Sequence, residues 1–201
     1  MAKIRLTKNE LKRQKEILAR LTRYLPTLEL KKQQLINEIR NKVRQIDAVK
    51  AEIEKTEKQI YEWVDVFAEE VNLEELIRVR EIVTDTGNVA GIDIPVFKDV
   101  IFEIKDYDFM TTPMWVDYAI EVCREQIKKK VEIQVLEEQI RILREELRVT
   151  VQRINLFEKV KIPETRDNIR KIQIFLGDLQ TAEVVRGKIA KAKLEKRREV
   201  S

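Results

Sequence analysis

Stepping alternately three and four residues along the chain from Leu11 visits positions 11, 14, 18, 21, 25, 28, 32, 35, 39, 42, 46, 49, 53, 56, 60, 63 and 67. Thirteen of these seventeen are apolar: Leu11, Leu18, Leu21, Leu25, Leu28, Leu35, Ile39, Ile46, Val49, Ile53, Ile60, Trp63 and Phe67. Lys, Arg, Glu and Gln fill most of the positions between them. The apolar stripe is therefore narrow and repeats every 3.5 residues on average, the spacing of a coiled coil rather than of a globular amphipathic helix. A helix from near Leu6 to near Val71 would be roughly 100 Å long. Pro26 interrupts it: a proline there removes a backbone donor and crowds the Thr22 carbonyl, at about 3 kcal/mol. A bend near that point is expected, not a break.

A second ladder follows in the C-terminal half. From Met114 onward it runs Ile133, Leu136, Ile140, Leu143, Leu147, Ile154 and Phe157, with Thr150 as a polar step, and resumes as Ile162, Ile169, Ile172, Leu176 and Leu179. The five-residue step from Phe157 to Ile162, next to Pro163, shifts the phase of the seam and predicts altered winding there. Two ladders of similar length can bury each other only if the chain folds back between them. The expected fold is mainly α: a long antiparallel two-helix coiled coil formed by an N-terminal helix (residues 1–71) and a C-terminal helix (114–201), with both termini at one tip.

Residues 72–113 differ in kind. The heptad ladder stops, and Val79, Ile82 and Val83, then Ile92, Ile94, Val96, Val100, Ile101, Phe102 and Ile104, enrich the segment in residues that favour strands. Gly87-Asn88 and Gly91 mark turns between them. A small central β-hairpin is expected, capping the rod, with Pro95 at an edge or a strand end.

Composition narrows the chemistry. The chain has 201 residues, 38% of them charged and 6% aromatic, with four Gly and four Pro, which suits long helices and not a large globule. It contains no His, which removes the usual general base, the Ser-His and Cys-His nucleophile pairs and the helical zinc pair. No catalytic, cofactor-binding or metal-binding residue is assigned, and no cofactor is expected. Cys123 is the sole cysteine; among Ile120, Val122 and Ile127 it reads as a packed thiol, and a chain without disulfides fits a reducing compartment. The charged start Met-Ala-Lys-Ile-Arg-Leu leads into no apolar core of signal-peptide length, and no stretch approaches the roughly 18 apolar residues of a spanning helix. Direct membrane insertion is not expected.

Charge is uneven along the chain. Residues 1–23 and 183–201 together carry fifteen Lys or Arg against five acidic groups, whereas residues 62–109 carry thirteen acidic groups against Arg78, Arg80, Lys98 and Lys105. Opposite signs at the two ends of a rod would steer and orient partners.

Three segments carry a family resemblance. NVAGIDIPVF (Asn88 to Phe97) and RINLFEKVKIP (Arg153 to Pro163) resemble the central and C-terminal motifs of the D subunit of vacuolar-type and archaeal-type rotary ATPases. LTKNELKRQKEIL (Leu6 to Leu18) is similar, more loosely, to that family's N-terminal helix. The matches fall in the same order across nearly the whole chain; Pro26 and the run Glu164-Thr165-Arg166 depart from the pattern.

The resemblance implies a non-catalytic central-stalk axle that couples ATP synthesis or hydrolysis in partner subunits to proton or sodium-ion transport. Its implied partners are the catalytic and regulatory A and B subunits of the head, the small F subunit of the stalk and a membrane-rotor docking subunit, on the cytoplasmic side of the membrane and peripheral through the complex. Expected head contacts are Lys8, Lys12, Arg13, Arg20, Arg23, Arg186, Lys188 and Lys191. Expected lower-stalk docking residues are Gly87, Asn88, Gly91, Ile94, Pro95 and Phe97. The residues alone leave other readings open. Basic helix faces are most often simply solvated, Gly87 and Gly91 could serve only the turn, and Trp63 and Phe67 fall on the seam as core. A basic-tipped coiled coil could also bind nucleic acid, although no aromatic stacking set accompanies the charge, or act as a scaffold on a membrane surface.

Overall fold

The computed structural model describes residues 4–61, 76–105, 113 and 115–199. Trp63 and Phe67, together with Met114, lie outside the described residues. The element order is α1 (Lys8–Tyr61), β1 (Ile77–Val89), β2 (Ile92–Ile104), α2 (Trp115–Leu156), a π-helical turn (Phe157–Lys161) and α3 (Ile162–Glu199). The chain divides into two compact units, one of residues 31–149 and one drawn from its two ends, up to Leu30 and from Thr150 onward.

Helix α1 starts where Thr7 accepts the Glu10 N–H on its hydroxyl at 3.3 Å, one half of a capping box. It runs unbroken through Pro26, and Thr27 just beyond donates its hydroxyl to the Tyr24 carbonyl at 2.7 Å. All fifteen described steps of the first ladder, Leu11 to Ile60, are buried or half-buried, the polar steps Gln14, Lys32, Lys42 and Thr56 included. The 3.5-residue period thus identified the inward face of the whole helix.

Within residues 31–149 the two ladders pair antiparallel. As α1 advances through Lys31, Leu35, Ile46 and Glu52, its partners on α2 retreat: Glu146 (2.7 Å from Lys31), Leu143, then Leu136 and Ile140, then Lys129 (3.2 Å from Glu52). The ion pairs are at least partly exposed and contribute little; the buried Leu and Ile side chains hold the pair together, at about 1.5–3 kcal/mol each.

Strands β1 and β2 form an antiparallel hairpin closed by Ala90 and Gly91, with φ of +52° and +79°. Positive φ at both positions is the geometry of a two-residue hairpin turn that follows the natural strand twist. Asn88 braces it, accepting the Gly91 N–H at 3.1 Å on Oδ1 and donating from Nδ2 to Asp93 at 2.8 Å. Gly87 and Asn88, expected at a turn, lie inside β1 instead. Glycine is needed at 87 for closeness, since a Cβ there would sit 2.7 Å from Val96 Cγ2. Pro95 lies inside β2 opposite Thr86, a place open to proline because each strand of a two-stranded sheet is an edge.

The hairpin, expected as a cap, lies along α2. Its base packs through Ile77 and Phe102 on Val116 and Ile120. Its middle is held where Asp99 meets Lys128 at 2.7 Å and the Arg124 guanidinium sits 5.5 Å from the Phe102 ring centre. Its turn end inserts Ile94 between Leu35 of α1 and Leu143 of α2, beside Val89, Ala90 and Ile92. A lone two-stranded hairpin is barely stable in water, so its apolar residues find cover on the nearest greasy surface, the flank of the helix pair.

In the unit formed by the chain ends, the five-residue step from Phe157 to Ile162 becomes the π-turn, with the Ile162 N–H donating to the Phe157 carbonyl. One extra residue is absorbed there. The seam continues through Ile162, Thr165, Ile169, Ile172 and Leu176, all buried or half-buried. Thr165, absent from the apolar ladder, is buried and donates its hydroxyl to the Lys161 carbonyl at 2.7 Å. Leu179, expected on the seam, is 43% exposed.

Candidate functional site

Two surfaces stand out, and neither is a cleft with catalytic groups. The first is the end of α3. Every residue from Gly177 to Glu195 is exposed. Val184, Val185, Ile189 and Leu194 stand open to solvent there, Leu194 at 62%. Interleaved with them are Arg186, Lys188 and Lys191, the last only loosely paired with Glu195 at 3.9 Å. A helix end that keeps both aliphatic and basic groups uncovered presents apolar surface and positive charge side by side. The sequence singled out the basic residues; the apolar ones between them were missed, although the interruption of the ladder by Glu183 and Gly187 was their signal.

The N-terminal candidates Lys8, Lys12, Arg13, Arg20 and Arg23 are all exposed on α1. Arg13 reaches Glu10 at 3.9 Å. They belong to the same compact unit as the α3 end, so charges far apart in sequence gather in one part of the protein.

The hairpin is the second surface, and its six candidates separate by depth. Asn88 and Gly91 are exposed at the turn, Gly87, Pro95 and Phe97 are half-buried, and Ile94 is buried in the core with Leu35 and Leu143. Ile94 therefore anchors the hairpin from beneath. Sequence reasoning missed a set of exposed aliphatic residues on the same strands: Val79, Ile82, Val96, Ile101 and Ile104. Alternation alone could not find them, because bulges at Arg80 on β1 and Lys98 on β2 shift the register and reassign which residues face outward. On this surface the Lys98 ammonium, 2.9 Å away, holds the Asp85 carboxyl below its ordinary range with help from the Thr86 N–H. Lys128 and the Val100 N–H do the same for Asp99.

With these surfaces in view, the comparison with known sequences is decisive: residues 10–192 match the family model for the D subunit of ATP synthase. The chain belongs to that family. It is 47% identical over 197 residues to a V-type ATP synthase D subunit of Borreliella burgdorferi, covering 98% of each chain. It is 39% identical over 202 residues to that of Chlamydia pneumoniae, covering 97% of this chain and 95% of the relative. It is 33% identical over 201 residues to that of Chlamydia trachomatis serovar L2, covering 98% and 99%. Membership of the D-subunit family makes the chain one component of a multi-subunit ATP synthase. No helix among the described residues is long and apolar enough to cross a membrane.

Cys123 is a half-buried free thiol on α2. Burial pushes its thiol above the ordinary cysteine value, against a smaller opposing pull from Lys130. Because the thiolate is the reactive species, alkylation of the folded chain by iodoacetamide at pH 7 is expected to be slower than of the chain in denaturant. Mass spectrometry over time would measure this, and equal rates would contradict a packed thiol.

Proposed function

We propose that this chain is the central-stalk component of a V/A-type ATP synthase or ATPase, non-catalytic itself, which couples ATP synthesis or hydrolysis in partner subunits to proton or sodium-ion transport by rotation. The observation that carries this reading is the D-subunit family match, which spans residues 10–192. The uncovered aliphatic and basic end of α3 supports contact with the catalytic and regulatory A and B subunits of the head. There Arg186, Lys188 and Lys191, with Lys8, Lys12, Arg13, Arg20 and Arg23, would meet acidic groups of the ring. The hairpin would serve the lower stalk, where the small F subunit and the membrane-rotor docking subunit bind: Asn88, Gly91 and Phe97 offer contact, Gly87 and Pro95 shape the strands, and Ile94 anchors them. The protein would sit on the cytoplasmic side of the membrane, peripheral through the complex.

Rotary coupling asks for no catalytic group in the stalk. A ring of alternating subunits has several nearly equivalent states, and an asymmetric stalk binds each interface differently. Each stalk orientation then favours one open site, and by linkage each ATP cycle biases the orientation. The stalk needs stiffness, asymmetry and grip, which the paired Leu and Ile seam, the one-sided hairpin and the bare end of α3 can supply. Removing residues 183–201 is therefore expected to lower the number of ions moved per ATP severalfold in the reconstituted complex while the complex still assembles. Unchanged coupling with the truncated chain would count against a grip at this end.

A further inference from the structure

Gln139 is 2% exposed, the most deeply buried amide among the described residues. It projects from α2 one turn before Leu143, beside the place where Ile94 enters the core. Its Nε2 donates to the Pro95 carbonyl, while its Oε1 has no partner among the described residues. An unsatisfied buried acceptor costs free energy; a Leu at this site would remove that cost but leave the half-buried Pro95 carbonyl without its donor, so the two effects largely offset. A buried polar side chain that brings little net stability points to a role in fixing position.

Pro95 is suited to receive it. In an antiparallel ladder, facing residues either exchange both N–H···O bonds or turn both groups outward. Counting from the turn, where Val89 faces Ile92, the Thr86–Pro95 pair falls in the outward class. Proline has no N–H, so this point of the β2 edge offers an acceptor alone. Ile94 next to it supplies apolar contact, which has no preferred direction and tolerates sliding. The hydrogen bond has direction and one register.

We propose that Gln139 is a positioning residue that latches the turn end of the hairpin to α2, so that hairpin and helix pair move as one body when load is applied to the hairpin. The transmission of load rests on the stalk reading above; the latch does not. The base of the hairpin is secured separately by Ile77, Phe102, Val116 and Ile120. Without the latch the far end would be held by Ile94 and its apolar neighbours alone, free to shift along the helix.

Gln139→Leu in the full chain tests this. Its melting temperature should stay within a few degrees of that of the parent, while backbone amides of residues 86–96 exchange with deuterium up to about tenfold faster, the loss expected for one hydrogen bond. Amides near Ile77 and Phe102 should not change. In the complex reconstituted in vesicles with either chain, ATP hydrolysis should persist while ions transported per ATP fall. Unchanged exchange at residues 86–96 overturns the latch. Faster exchange with undiminished transport per ATP overturns its role in carrying load. Should Gln139→Leu lower the melting temperature by more than that, Gln139→Met, more flexible but equally unable to donate, is read by the same two measurements. Failure of the stalk reading would be seen separately, as a parent chain that neither joins the complex nor supports its transport.

Discussion

Leu143→Asp is expected to lower the melting temperature by about 10 °C or more, from a loss of at least about 4 kcal/mol. Leu143 is fully buried where α1, α2 and the hairpin meet, against Leu35 and Ile94. Truncating a buried Leu alone costs about 2–5 kcal/mol, and a carboxylate in its place is buried against the aliphatic side chains of Leu35 and Ile94. Because one side chain serves three elements, the hairpin should loosen together with the helices, and hydrogen exchange should rise in residues 86–96 as well as along the seam. Leu194→Asp is the matched control: on the bare end of α3 the same change should move the melting temperature by no more than a surface substitution does, within about 0.5 kcal/mol. Equal effects of the two substitutions would refute the pairing of α1 with α2 described above.

The second large effect concerns chain length. Shortening a coiled-coil helix by one residue normally turns every later side chain by about 100°, away from its partner. The π-turn reverses that expectation at one place. Its extra residue interrupts an otherwise regular alternation of three- and four-residue steps, and deleting Val160, exposed within the turn, converts the five-residue step after Phe157 into a four-residue one. Pro163 must change as well, because in a regular α-helix its ring would meet the carbonyl four residues earlier at about 3 kcal/mol. Deletion of Val160 combined with Pro163→Ala is therefore expected to unfold cooperatively within a few degrees of the parent. Deletion of Arg144 combined with Pro163→Ala should abolish the cooperative transition, since Leu147, Thr150, Ile154 and Phe157 all leave the seam before the π-turn can compensate. Thermal melts followed by circular dichroism would compare them. A similar collapse of both variants would show that the π-turn is no phase correction.

The seam was legible in the sequence because a heptad pattern is read from neighbours three and four residues apart, and helix geometry alone then decides which face is apolar. That reasoning placed Lys32 and Lys42 on the inward face as surely as Leu35, because position, not polarity, sets the phase. The five-residue step announced a local change of winding for the same reason. The hairpin was legible as β-branched runs, but its turn was misplaced: Gly87 and Gly91 look alike in sequence, and only the strand pairing shows that one admits the Val96 side chain while the other takes positive φ.

Of the candidate surfaces, the basic residues could be found by charge, whereas the bulges at Arg80 and Lys98 had to be seen before the outward aliphatic residues of the hairpin could be named. The sequence by itself determined that two long helices would form, which stripe each would bury and that the chain would turn back through a strand-rich segment, since all three depend on local spacing. The tertiary structure alone decided that the hairpin lies along α2, that Ile94 and Gln139 secure its far end, and that the seam is uncovered beyond Leu176. Each of those depends on which residues distant in sequence have room to meet, and a repeat along one helix carries no information about what stands opposite it.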